Sequence, residues 1–108
     1  MVEQQERLDA VFQALSDPTR RGMLRRLTEG EATITELAAP YRMSFAGASK
    51  HVKALETAGL VRRTVKGRTH VLRLTADPLA DAHHWLRYYK RFWPQRLGAF
   101  EQLFDADA

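Results

Sequence analysis

Eight of the seventeen Lys and Arg residues in this 108-residue chain fall between Arg42 and Arg73, and Glu56 is the one acid among them. That segment carries a formal charge of +7, while residues 1–41 carry −2 and residues 74–108 carry −1. A basic excess so concentrated suits a polyanion, with nucleic acid the first candidate; charge alone leaves a solvated basic surface equally open. The donors fall into two groups. Ser44, Gly47, Ser49, Lys50, His51 and Lys53 crowd one short stretch. Its hydroxyls can bond phosphate or a base edge, its glycine lets a backbone approach closely, and its cationic and imidazole groups add donors. Ser44 is also suited to capping a helix, and Gly47 to close helix packing. The second group, Arg63, Lys66, Arg68 and Thr69, surrounds Gly67.

Other chemistries find little support. The chain has no Cys, which removes disulfides, thiolate metal sites and thiol nucleophiles. Asp81, His83 and His84 share one helical turn, with no oxyanion hole or pocket in prospect. Gly47 and Gly67 stand alone, so no glycine-rich loop cradles a phosphate. Neither an enzyme nor a cofactor is expected. No run approaches the roughly 18 apolar residues of a membrane span. Met1–Arg7 is polar and lacks the apolar core of a signal segment. The expectation is one cytoplasmic domain, residues 1–108, with a modest core.

The elements that must position the donors follow from spacing. Leu8, Val11, Phe12 and Leu15 mark a first amphipathic helix. Asp17-Pro18 opens a second, with Met23, Leu24 and Leu27 inward, Arg20, Arg21, Arg25 and Arg26 available to the surface, and Gly30 as its stop. Thr33 to Glu36 is a capping box that starts a short third helix, ended by Pro40. Ser44 begins a fourth, whose apolar face reads Phe45, Ala48, Val52 and Leu55, and Gly59 ends it. Leu60–Val65 and Thr69–Leu74 then alternate as a two-stranded hairpin with a basic tip, where Gly67 supplies the positive φ of a tight turn. A last helix is expected from Pro78 to about Phe104, kinked or split at Pro94. Its seam, Leu79, Ala82, Leu86, Tyr89, Trp93, Leu97, Phe100 and Phe104, approaches a heptad. So long and aromatic a stripe exceeds what one small core can cover. A second subunit is therefore expected across Leu8, Val11 and Phe12 of the first helix and Leu86, Tyr89, Trp93, Leu97 and Phe100 of the last. Residues 78–105 thus form a dimerisation helix. The predicted fold is mainly α with a small β-hairpin: a dimeric winged helix-turn-helix of five helices and a two-stranded wing. Its fourth helix would enter the DNA major groove by its N-terminal turn, with the wing along the backbone or in the minor groove.

Ala14-Leu-Ser-Asp-Pro-Thr-Arg-Arg21 with Leu24 and Leu27, and Ser49-Lys-His-Val-Lys-Ala-Leu-Glu-Thr-Ala-Gly-Leu-Val61 followed by Gly67-Arg68, resemble the ArsR (arsenical-resistance repressor) family over roughly residues 8–104. The resemblance implies a homodimer held by the first and last helices, which binds an inverted repeat in double-stranded operator DNA and blocks transcription. The stretch from Ser44 to Ala58 matches the family's recognition helix. Thiophilic-metal sensors of the family carry a Cys pair on the helix matching Ile34–Pro40, and it is absent here. Asp81-Ala-His83 matches half of the zinc-type site, but the other half falls on Pro94 and Leu97, too few ligands for a tetrahedral centre. No metal site is expected. His83 and His84 suit a polar helix face or a hydrogen bond across the dimer. The chain resembles instead the Cys-free members with an aromatic last helix, here Trp85, Tyr88, Tyr89, Phe92 and Trp93; these rings could line an effector pocket or pack in core and interface. Two other readings stay open. One is a metal-responsive repressor using His51, His70, His83 or His84. The other is a winged-helix protein-docking module, against which the Arg42–Arg73 cluster speaks. The effector is left unassigned.

Overall fold

The computed structural model describes residues 2–94. Helices α1 (Val2–Leu15) and α2 (Pro18–Leu27) are followed by a two-residue strand β1 (Ala32–Thr33) and the short helix α3 (Ile34–Ala38). Then come α4 (Phe45–Thr57), strands β2 (Val61–Lys66) and β3 (Thr69–Leu74), α5 (Asp77–Arg87), and a 3₁₀ helix (Tyr88–Phe92).

The starts and stops are chemical. The Asp17 carboxylate accepts from the Arg20 amide at 3.1 Å to cap α2, with Pro18 just inside the helix. Thr33 and Glu36 form the reciprocal capping box: Glu36 N–H donates to Thr33 Oγ1 at 3.1 Å, and Thr33 N–H to Glu36 Oε1 at 2.9 Å. Helix α4 ends in a Schellman motif. Gly59, at φ 74°, donates to the Glu56 carbonyl, and Leu60 N–H reaches back to Leu55 O. Two of the arginines expected at the surface, half-buried Arg20 and exposed Arg21, also turn back onto α1. Arg20 donates to the carbonyls of Gln13 and Ala14, and Arg21 to that of Leu15, so together they satisfy the exposed end of α1.

Met23, Leu37, Val52, Leu55, Leu60 and Leu72 are fully buried together with Val11, so α1, α2, α3, α4 and the sheet share one core. Among the described residues no polar or charged residue is buried. The sheet is antiparallel in the order β1-β3-β2. The hairpin is as expected, with Lys66 opposite Thr69 and Gly67 at φ 64° in its two-residue turn. The third strand was not expected. Ala32 and Thr33 pair with Leu72 and Val71, anchoring the wing to the helical body through a segment too short to show a period of its own.

The last helix is shorter than its seam suggests. The α-helix stops at Arg87, and the chain continues as 3₁₀ turns to Phe92. Trp93 is extended, at φ −74° and ψ 142°. A residue before proline is driven out of the helical region by the pyrrolidine ring, so Pro94, through Trp93, ends the 3₁₀ turns at Phe92. A 3₁₀ helix has three residues per turn, and the heptad register lapses after Arg87. Leu97, Phe100 and Phe104 lie outside the described residues.

Candidate nucleic-acid interface

Helix α4 is held by Ala48, Val52 and Leu55, all fully buried. Ser44 caps it, its hydroxyl accepting from Gly47 N–H at 3.0 Å. A Cβ on Gly47 would come within 3.3 Å of that hydroxyl, so the glycine keeps the cap and the entry turn slim. Spacings of three and four place Ala46, Ser49, Lys50 and Lys53 on the face opposite the core, where Lys50 and Lys53 are exposed and Ser49 is half-buried. Phe45 departs from its expected place. It belongs to the apolar face by spacing but is 61% exposed, because it is the first residue of the helix and no preceding turn covers it. His51 turns toward α2, its Nδ1 3.4 Å from the Arg20 guanidinium. Arginine can only donate, so this nitrogen accepts and the ring proton sits on Nε2. Asp17 stands close by. Its carboxyl is held below its ordinary value chiefly by the Arg20 amide, then by the Thr19 amide and the Arg20 charge.

The wing sorts its cations by strand face. Arg63 follows Val61 on the side that faces the core. Its Nε and Nη2 donate to the two oxygens of Glu56 at 3.2 and 2.6 Å, and its Nη1 lies 2.9 Å from His70 Nδ1. The single acid of the basic segment is thus matched by Arg63, and the pair ties β2 to the last turn of α4. Sequence reasoning grouped Arg63 with the phosphate donors; in the folded wing all three of its nitrogens have partners within the chain. Lys66, Arg68 and Thr69 at the tip are exposed. Two further cations belong to the same surface. Arg42, in the turn before α4, and Arg62, on the outer face of β2, are exposed and without a side-chain partner among the described residues. Strand alternation was the signal for Arg62: beside buried Val61 it must point away from the core.

Away from this surface, α1 packs on α5 and carries a chain of rings. Phe12 meets Trp85 edge-on at 5.7 Å, Trp85 tilts on Tyr89 at 5.0 Å, and Tyr89 meets Tyr88 at 5.1 Å. Trp85, Leu86, Tyr88, Tyr89 and Phe92 are all exposed, Phe92 at 67%. Leu8 and Phe12 are half-buried beside them. Val11 does not share this surface: at 1% exposure it lies in the core of its own chain, and no side chain is left to offer a partner. A cavity of about 560 Å³ lies between α1, the end of α4 and the start of α5, lined by Arg7, Leu8, Thr57, Asp77, Asp81 and Trp85 among others. Of the described rings Trp85, Tyr88, Tyr89, Phe92 and Trp93, Trp85 alone lines it. His83 and His84 are exposed, and among the described residues no three His, Cys, Asp or Glu side chains are grouped to hold a metal.

Known proteins share this arrangement. A family model for a helix-turn-helix domain matches residues 15–64. The HTH-type transcriptional regulator Rv2034 of Mycobacterium tuberculosis is 36% identical over 92% of this chain and 90% of its own length. The transcriptional repressor SdpR of Bacillus subtilis is 32% identical over 73% of this chain and 88% of its own. Among solved structures, the ArsR family transcriptional regulator RHA00566 superposes with a TM-score of 0.77 at 38% identity, over 82% of this chain and 92% of that one.

Proposed function

The chain belongs to the ArsR family of winged helix-turn-helix transcriptional regulators, and from that premise we propose that it binds an inverted-repeat operator as a homodimer and represses transcription. The observation that carries this reading is the outward face of α4, with Lys50 and Lys53 exposed and Ser49 half-buried, beside a wing whose tip presents Lys66, Arg68 and Thr69. Each side chain takes a part. The entry turn, from the Ser44 cap past Gly47, approaches the major groove. Ser49 and Lys50 reach base edges, and His51 contributes its free Nε2–H at the edge of the helix. Lys53, Arg42 and the wing cations meet phosphate. Arg63 acts as a brace and sets the angle between wing and helix through Glu56.

The second subunit would cover the exposed face of Trp85, Leu86, Tyr88, Tyr89 and Phe92, with Leu8, Phe12 and Trp93 at its margin. Five large apolar side chains gathered on one face form a contiguous patch of the kind that marks an interaction surface. A two-fold pairing brings two recognition helices to successive major grooves, about 34–36 Å apart. Among the described residues no helix is long and apolar enough to cross a membrane. The proposed site of action is the cytoplasm, where an operator would be met. The test is selection of bound duplexes from a random pool, followed by titration of the recovered sequence. A palindromic site with half-sites one helical turn apart, bound at least a thousandfold (~4 kcal/mol) better than random DNA, is the expected result. Recovery of no sequence preference would refute it.

A further inference from the structure

Phe45 is the largest apolar side chain that the fold leaves in water at the DNA-facing end of the molecule, at 61% exposure. It makes no ring contact with any described residue. Cα–Cβ bonds in a helix lean toward the N-terminus, so the first side chain of α4 overhangs the helix end. Its neighbours in sequence are small or solvent-facing: exposed Ala46 and slender Gly47 follow it, and Arg42 before it and Lys50 after it are exposed and without a side-chain partner among the described residues. The surroundings are cationic and open to solvent. They fit an anionic duplex with an apolar feature at its groove floor better than they fit an apolar protein face.

We propose that Phe45 is a base-reading residue that takes up the 5-methyl group of a thymine in the major groove. This deepens the reading of α4 as the recognition helix and rests on it. A phenyl ring has no hydrogen-bond donor or acceptor, and the thymine methyl is the one apolar group that a base pair shows on the major-groove side. Lys50 and Ser49 on the next turn can read polar edges only, so Phe45 adds discrimination that they cannot supply.

The probe is the duplex recovered by selection from a random pool, with each thymine replaced in turn by deoxyuridine, which removes only the methyl. Burying one such carbon is worth about 0.8 kcal/mol, or about fourfold in affinity. The wild-type chain should therefore lose about fourfold at one thymine position per half-site, and roughly fifteenfold when both symmetric positions are changed. Phe45→Ala should bind the thymine duplex more weakly and be indifferent to deoxyuridine at that position, with an unchanged circular dichroism spectrum. Phe45→Leu, which keeps an apolar surface, should keep the methyl dependence. A wild-type chain that binds its selected duplex equally well with every thymine replaced overturns the Phe45 assignment and leaves the repressor reading intact. So does a Phe45→Ala chain that keeps the full methyl dependence. A chain that selects no duplex at all overturns both.

Discussion

Breaking the Glu56–Arg63 pair tests whether the wing is braced to the recognition helix. The two side chains are 25% and 24% exposed, and the guanidinium donates to both carboxylate oxygens, at 3.2 and 2.6 Å. Fully exposed pairs contribute about 0–1 kcal/mol, whereas removing one partner of a buried pair costs about 3–5 kcal/mol. Three-quarters burial with bidentate geometry sets Glu56→Ala between those limits, at about 2 kcal/mol, since Arg63 is left with a covered charge and only His70 Nδ1 as a neighbour. Removing Arg63 instead strands the carboxylate, and removing both strands neither. The single variants should therefore each lose about 2 kcal/mol and the double variant little more than either, a coupling of roughly 1–2 kcal/mol. Urea unfolding followed by circular dichroism reads this out. It must be run at fixed protomer concentration, because dimerisation contributes to the apparent stability. With a slope of about 1.3 kcal/mol/M, each single variant should unfold about 1.5 M earlier than the wild type. Effects that simply add, within about 0.5 kcal/mol, would mean that the two side chains do not support one another and would refute the brace.

Three further outcomes follow from the same geometry. Arg68→Ala should weaken binding to operator and random DNA alike and flatten the slope of log affinity against log salt by about 0.9 per lost phosphate contact, hence about 1.8 in a dimer, whereas Arg63→Ala should leave that slope unchanged. Sedimentation at micromolar concentration should give twice the 12.4 kDa chain mass, and Leu86→Glu or Tyr89→Glu should return a monomer with little operator affinity; a wild-type monomer would contradict the interface. On acidification the caps of α2 and α3 should hold until the pH falls below the ordinary carboxylate range and then fail. The Asp17 carboxyl is held below its ordinary 3.8 by the Arg20 amide, and that of Glu36 below 4.5 by the Thr33 amide and hydroxyl. Depressed carboxyls stabilise the fold in full above those ordinary values and lose the contribution as pH falls through the folded ones, so Asp17→Asn with Glu36→Gln should be less stable at neutral pH and show a shallower loss between about pH 5 and pH 2. An acid limb identical to that of the wild type would contradict this.

The first four helices and the hairpin were legible in the sequence because their signals are local. A cap such as Asp17, Thr33 or Ser44 acts on amides two or three residues away, and Gly59 and Gly67 meet conformational demands set by the turn in which each sits. The apolar spacing of Ala48, Val52 and Leu55 likewise named a buried face without reference to what covers it. The concentration of charge between Arg42 and Arg73 is likewise a property of the chain itself and pointed to a polyanion before any coordinate did.

What depended on distant partners could be decided only by the tertiary structure. Ala32 and Thr33 become a strand because β3 comes back beside them, some forty residues on, with Leu72 and Val71 as their partners. Arg63 differs from Arg68 not in type but in place, because chain reversal at Gly59 brings Glu56 within 2.6 Å of one and not the other. Val11 and Phe12 are neighbours on one helix, yet the first is closed in the core while the second meets Trp85 at the surface. Phe45 satisfies the apolar period of α4 and is nevertheless exposed, since period gives direction around the helix axis and says nothing of whether anything lies beyond the helix end. Charge, caps and period are carried by the chain as written; which arginine is free and which ring is bare depend on contacts between residues far apart in sequence, and those exist only once the chain has folded.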